Sequence, residues 1–277
     1  MRRLALLLCL STPALAADPS VPAAVTPTLP SPADAVAVPA PASVNRTYAM
    51  RQTFTSQMRE PNPFSNQEWR DTHTTVWALV RMTQTGTAFR YDETTCGIQT
   101  EKVFGAETIY PEAFINGIEV RHRQGTLAAP DAGGQFRTTQ YAQAFGVRLA
   151  DPMKDALPTD PADKRLVDTD GDGHPGATVI IHHPLVGTGR VYVAQRSVAR
   201  LDGTLQADGS VRGVVYTAPN MFKIGADTWW LRVDSPQRPH PDTNRSPFFM
   251  MPVSDSETCA QILSGKATIF PPLVLRD

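Results

Sequence analysis

The sequence predicts a mainly β protein, an antiparallel β-barrel or β-sandwich with a short C-terminal helix. Three observations carry that expectation. Residues 72–84, 87–95, 134–149, 177–183, 189–205 and 210–217 are rich in β-branched and aromatic side chains and are separated by Gly, Pro, Asp or Asn. Within 189–205 the side chains alternate imperfectly: Val191, Val193, Ser197, Ala199 and Leu201 share one face, and Tyr192, Arg196, Arg200 and Asp202 the other. Polar residues on both faces suit long curved strands. Helical signal, by contrast, is confined to short stretches, and no repeat of the length used by propellers or solenoids is present.

Taken in chain order, Met1–Ala16 reads as a cleavable export signal. Arg2 and Arg3 precede the apolar run Leu4–Leu10, and Ala14-Leu15-Ala16 matches a small-x-small cleavage site, placing cleavage near Ala16. The apolar run is far shorter than the roughly 20 residues that span a bilayer, and no later stretch is long and apolar enough to do so. The expected address is therefore secreted or periplasmic, and the short Arg-containing signal has a bacterial look. Residues 17–44 are dominated by Ala, Pro, Val, Ser and Thr, a composition too poor in bulky apolar groups to offset its ordering entropy. This segment reads as a disordered linker, leaving 45–277 as one β-rich domain.

Turn chemistry places the connections. Asp202-Gly203 and Asp208-Gly209 are turn-type dipeptides, and Gln206-Ala207-Asp208-Gly209 can close a hairpin between 189–205 and 210–217. Ser254-x-x-Glu257 resembles a capping box opening a helix over 255–263, with Gly265 as its stop, and 152–156 is a weaker helical candidate. After loss of the signal two cysteines remain, Cys96 and Cys259. An even count in an oxidising compartment reads as one disulfide, tying an early strand to the C-terminal helix.

Charge excludes one function class. Lys and Arg number 26 against 27 Asp and Glu, for a net charge of −1, and no basic cluster marks a nucleic-acid footprint. No HExxH, paired CxxC, G-x-S-x-G elbow or Gly-rich phosphate loop is present either. The sequence holds no recognisable nucleophile–base set.

The sharpest local signal is Asp168-Thr169-Asp170-Gly171-Asp172-Gly173-His174-Pro175-Gly176. Ca²⁺ takes about six to eight oxygens at roughly 2.3–2.6 Å, and alternate residues of a tightly curled loop can aim their oxygens at one point. Asp168, Asp170 and Asp172 would supply carboxylates, Gly173 the sharp turn, and His174 its backbone carbonyl. This stretch resembles the DxDxDG calcium loops of EF-hands, dockerins and thrombospondin-type repeats, a likeness of about nine residues. It departs from the EF-hand where that motif places a bidentate Glu, because the position is held by Val179, and a β-like run follows instead of a helix. The expected cofactor is therefore one Ca²⁺, completed by a carboxylate from elsewhere: Asp160 or Asp163, or less favourably Asp151 or Asp155. The whole chain is similar to exported bacterial proteins, a resemblance that implies no activity.

Aromatic side chains suggest a second site. Trp229, Trp230, Tyr216 and Phe222, with the run Phe248-Phe249-Met250-Met251, could line an apolar cavity in a barrel. The expected partner is a small apolar ligand or an envelope component. The functional expectation is a binding or structural protein stabilised by one calcium ion and one disulfide; the alternative is a calcium-dependent envelope or extracellular hydrolase.

Overall fold

Eight antiparallel strands close on one another to make the body of the protein. The computed structural model describes residues 43–59, 68–128, 133–233 and 235–273, all within one compact unit, Pro41–Asp277. The expected export signal and the linker up to residue 42 lie outside the described residues. The first strand begins at Ser43, so the last two residues assigned to the linker belong to the sheet.

Among the described residues the strands are β1 (Ser43–Met58), β2 (Arg70–Thr85), β3 (Ala88–Thr100), β4 (Glu107–Ile109), β5 (Arg121–Leu127), β6 (Gln135–Thr138), β7 (Tyr141–Phe145), β8 (Ala177–His183), β9 (Gly187–Leu205), β10 (Val211–Ala226), β11 (Gln237–Pro239) and β12 (Pro247–Val253). Pairing runs β10-β12-β1-β2-β3-β5-β6-β9, and β9 pairs again with β10, which closes the ring. Ring closure gives each of these strands a partner on both sides over part of its length. The long β9–β10 hairpin continues past the ring, and there β9 carries β7 and β8 on its other edge, with β4 beyond β8.

The helices among the described residues are short: α1 (Glu112–Asn116), α2 (Cys259–Ser264) and α3 (Lys266–Ile269). Among the described residues no helix is long and apolar enough to cross a membrane. The C-terminal helix is shorter than the sequence suggests, and its cap is different. Thr258, not Ser254, is the N-cap; its hydroxyl accepts from the Gln261 N–H, and Gln261 Oε1 accepts from the Thr258 N–H. Ser254 to Glu257 forms a turn instead, with the Glu257 N–H donating to the Ser254 carbonyl. The candidate at 152–156 is also a single turn rather than a helix.

Much of the barrel interior is filled by apolar side chains. Tyr48, Met50, Val80, Met82, Phe89, Tyr91, Leu127, Phe136, Leu201, Val211, Phe248 and Met250 are buried together there. Glycines in the wall seat the large rings. A Cβ on Gly125 would lie 2.5 Å from Phe89 Cζ, and one on Gly213 would lie 2.7 Å from Phe248 Cε1. Phe89 stacks on Phe136 at 4.6 Å between centroids, and Phe136 meets Phe248 at 6.0 Å. Gly203 belongs to the same device, since its Cβ would approach Phe248 Cζ to 2.8 Å. The Asp202-Gly203 dipeptide therefore lies inside β9 and makes no turn. The neighbouring prediction holds: Gln206–Gly209 closes the β9–β10 hairpin, with Gly209 at φ +77°.

A second apolar layer covers the outside of the ring beneath α2. Ala49, Leu79, Phe249, Ile262 and Phe270 are buried there with Cys96, and Cys259 packs against them. In the β2–β3 pairing Trp77 faces Gly97 while Ala78 faces Thr95, so Cys96 is the extra residue of a bulge. The bulge aligns Cys96 with the first residue of α2, and the disulfide Cys96–Cys259 joins them across 163 residues. The stretch expected as one strand over 134–149 is instead β6 and β7 with a break at Thr139-Gln140, and the two pair with different parts of β9.

Candidate metal centre

The aspartate loop hangs between β7 and β8 and is tied shut at its base. Asp168 and Gly176 form a bridge; the Thr169 N–H donates to the Gly176 carbonyl at 3.1 Å and the Gly176 N–H to the Val167 carbonyl at 2.9 Å. Gly171, Gly173 and Gly176 all take positive φ, which side-chain-bearing residues rarely adopt. That alternation curls the loop inward. Gly117, just after α1, admits the loop's backbone: a Cβ there would meet the Thr169 carbonyl oxygen at 2.3 Å.

Curling brings one carboxylate oxygen each from Asp168, Asp170 and Asp172 to within 4.8 Å of one another. Oxygens on opposite sides of a bound Ca²⁺ stand about 4.6–5.2 Å apart, twice the ion–oxygen distance, so the three fit one coordination sphere. Backbone donors hold the carboxylates in place. Asp168 accepts from the N–H groups of Gly171 (2.6 Å) and Gly173 (2.9 Å), and Asp172 from that of His174 (2.9 Å). Thr178, at the start of β8, clamps the other side. Its N–H donates to Asp170 Oδ2 at 2.7 Å and its hydroxyl to Asp172 Oδ2 at 2.6 Å. Thr178 was not anticipated; its sequence signal is only that a β-branched hydroxyl follows the loop.

One oxygen stays unpartnered. Asp170 Oδ1 is buried and accepts no hydrogen bond. Loss of solvent pushes the Asp170 carboxyl above its ordinary pKa; the nearby carboxylates of Asp172 and Asp168 add to this, against the Thr178 N–H. Asp168 shifts the other way. Loss of solvent opposes its ionisation, but the N–H groups of Gly173, Gly171 and Asp172 prevail and hold it below the usual range. The loop thus prepares anionic oxygens whose mutual repulsion a cation would relieve.

The expected completing carboxylates are not gathered at the loop. Asp163 grips Arg165 (Nη2 to Oδ2, 2.8 Å), and Asp160 accepts from the Ala162 N–H. Asp151 pairs with Lys154, and Asp155 accepts from the Asp151 N–H. His174 turns its imidazole onto the Tyr192 ring, stacked at 4.3 Å between centroids.

Nor do the four aromatics expected around a ligand converge. Trp229 is 75% exposed in a 3-10 turn with Trp230. Tyr216 lies under the Arg200 guanidinium at 4.7 Å, and Phe222 packs against Val147, Leu149, Leu157 and Leu166. All four belong to the β9–β10 extension or the turn after it, outside the barrel interior that the expected cavity would need. Phe248 and Met250 face the filled interior, while Phe249 and Met251 face the layer under α2. The surface hollow beside Asn45, Gln206, Pro252 and Asp255, about 580 Å³, is lined by none of the four.

Among the described residues one histidine–hydroxyl pair is buried. His73 Nδ1 stands 3.0 Å from Thr55 Oγ1, but that hydroxyl donates to the Arg245 carbonyl. His73 must therefore donate to Thr55 rather than take its proton, which fits a brace between β1, β2 and the turn before β12. Comparison with family models, with curated proteins and with solved structures finds no match to this chain. The molecule is defined by its own geometry, a closed eight-stranded antiparallel barrel carrying an aspartate loop.

Proposed function

We propose that this chain is an exported binding or structural protein whose barrel is stabilised by one Ca²⁺ in the 168–176 loop and by the Cys96–Cys259 disulfide. The observation that carries the reading is Asp170 Oδ1, a buried carboxylate oxygen without a partner beside two further carboxylates. All-oxygen ligands favour a hard cation, and the likeness of the stretch to DxDxDG loops favours Ca²⁺ over Mg²⁺. Asp168, Asp170 and Asp172 would bind the ion, with the His174 carbonyl and water filling the sphere. Its task there is mechanical: it would lock the segment joining β7 to β8 and hold both against β9. A disulfide and a calcium loop both suit a compartment outside the cytoplasm. The filled barrel favours a part that presents its outer surface over a carrier of a bulky apolar ligand.

The test is a thermal melt of the chain with Ca²⁺, with Mg²⁺ and with chelator. Wild-type protein gains stability in Ca²⁺ that Asp170→Asn lacks, while the far-UV spectra of the two agree. A midpoint indifferent to Ca²⁺ and chelator overturns the calcium reading.

A further inference from the structure

The barrel interior is not apolar throughout. Beyond the phenylalanine cluster, Glu93 is fully buried, with Arg121 at 7% and Arg123 at 5% exposure beside it. Arg121 Nη2 lies 2.6 Å from Glu93 Oε1, and Arg123 Nε lies 2.8 Å from Oε2. Gln52 Nε2 donates to Glu93 Oε1 at 2.7 Å, and Arg121 Nη2 donates to Thr95 Oγ1 at 2.7 Å. Two guanidiniums therefore share one carboxylate, and among the described residues neither makes an ion pair with a second. Arg is charged at any pH a protein meets, so the cluster holds an excess positive charge away from water.

The tyrosines do not supply the missing negative charge. Burial pushes the Tyr91 and Tyr141 hydroxyls above their ordinary pKa, against the attraction of the arginines, and keeps both neutral. Donors are left over as well. Arg123 Nη1 and Arg121 Nε are buried with no hydrogen-bond partner, as are the Tyr91 hydroxyl and, on the acceptor side, Gln52 Oε1. An uncompensated buried charge and unpaired buried donors are each costly, so a native barrel is expected to hold something that satisfies them.

The wall beside the cluster has a seam. Over Arg121, His122 and Arg123, ahead of its pairing with β6, β5 pairs with β3 alone, while β7 has turned away to pair with β9. Only side chains cross the gap at this height among the described residues: Arg121 Nη1 donates to Gln143 Oε1 at 2.8 Å, and the Arg123 guanidinium lies over the Tyr141 ring at 5.1 Å. Tyr141 and Gln143 are half-buried, so the route to the arginines from solvent passes between two side chains rather than through a ladder.

We infer that the spare guanidinium donors of Arg121 and Arg123, whose two charges share the single Glu93 carboxylate, form a binding site inside the barrel for a small monoanion, a halide or the carboxylate of a small molecule, reached through the β5–β7 seam. The site is independent of the aspartate loop and of any cation there.

The test exchanges anions at fixed pH and ionic strength on the full chain, replacing bulky gluconate with chloride or with acetate while Tm is followed. The expected result is a saturable rise of about 2–4 °C in Tm. Chloride acting more strongly than acetate assigns a halide, and the reverse assigns a carboxylate. The rise is lost in Arg123→Gln and kept in Arg90→Gln, an exposed position on β3. Should Arg123→Gln not fold, crystals of the wild-type chain soaked in bromide carry the test, with an anomalous peak expected within hydrogen-bond distance of Arg123. A midpoint that ignores the identity of the anion, or a bromide map with water alone at the arginines, overturns the inference.

Discussion

Arg121 holds its Nη2 2.6 Å from Oε1 of Glu93 at a depth where the carboxylate meets no solvent. The contact is made between neighbouring strands, since Glu93 and Arg121 are direct cross-strand partners of β3 and β5. Side chains on the same side of such a pair stand about 4.5–5.5 Å apart at Cβ, which sets the two charges in reach without bending either strand.

Removing the carboxylate should be costly. Glu93→Gln leaves two buried guanidiniums with no counter-charge, and the chain should lose about 3–5 kcal/mol. Urea denaturation followed by tryptophan fluorescence measures this. A loss below about 1 kcal/mol, the range of an exposed ion pair, would show that the interior is wetter than described.

The same residue sets an acid limit. Burial works against ionisation of Glu93, but Arg121 and Arg123, with hydrogen bonds from Gln52 and Arg123, prevail and hold its pKa below the ordinary 4.5. A carboxyl depressed on folding binds more protons in the unfolded state, so its stabilisation is complete above about pH 4.5 and is lost as pH falls through the lower, folded value. Stability of Glu93→Gln should therefore fall less steeply than that of wild type below pH 4.5. Parallel acid limbs in the two urea series would sink this expectation.

Reduction opens the link between the β3 bulge and α2. Cys96→Ser with Cys259→Ser should lower stability by about 2–4 kcal/mol, chiefly by freeing a long loop in the unfolded chain. Reductant should lower the Tm of wild type toward that of the double variant and leave the latter unmoved, as read by calorimetry.

Gly213 offers a test of the barrel wall. A Cβ there would meet the Asp202 carbonyl oxygen at 2.0 Å, Gly203 Cα at 2.4 Å and Phe248 Cε1 at 2.7 Å. Gly213→Ala should then cost at least about 1–3 kcal/mol, because backbone as well as a ring must move. Gly225→Ala is the control, since its Cβ would approach nothing nearer than 3.9 Å. Equal losses at the two positions in thermal melts would disprove the close fit.

Much of this fold was legible because it is written in short stretches. The Gln206–Gly209 turn, the alternation along β9 and the spacing of Asp168, Asp170 and Asp172 each depend on residues a few positions apart, where backbone geometry alone decides what can meet. The cysteine pair was legible by count. Ser254 and Thr258 mark the edge of such reading: both begin cap-like patterns, and the choice fell to Thr258 because Cys259 and Ile262 must face the sheet.

By itself, then, the sequence determined the β class, the hairpin, the disulfide partners and the three carboxylates of the loop. Tertiary structure decided the rest. It closed β9 onto β10 and β12 onto β1, made Gly125, Gly203 and Gly213 seats for phenylalanine rings, and set Thr178 against the loop. It also moved Trp229 and Tyr216 out to the surface and carried Glu93, Arg121 and Arg123 inside. The physical reason is common to all of these. A residue's face in a closed sheet depends on the register of strands distant in the chain, and only that register tells a solvated arginine from a buried one.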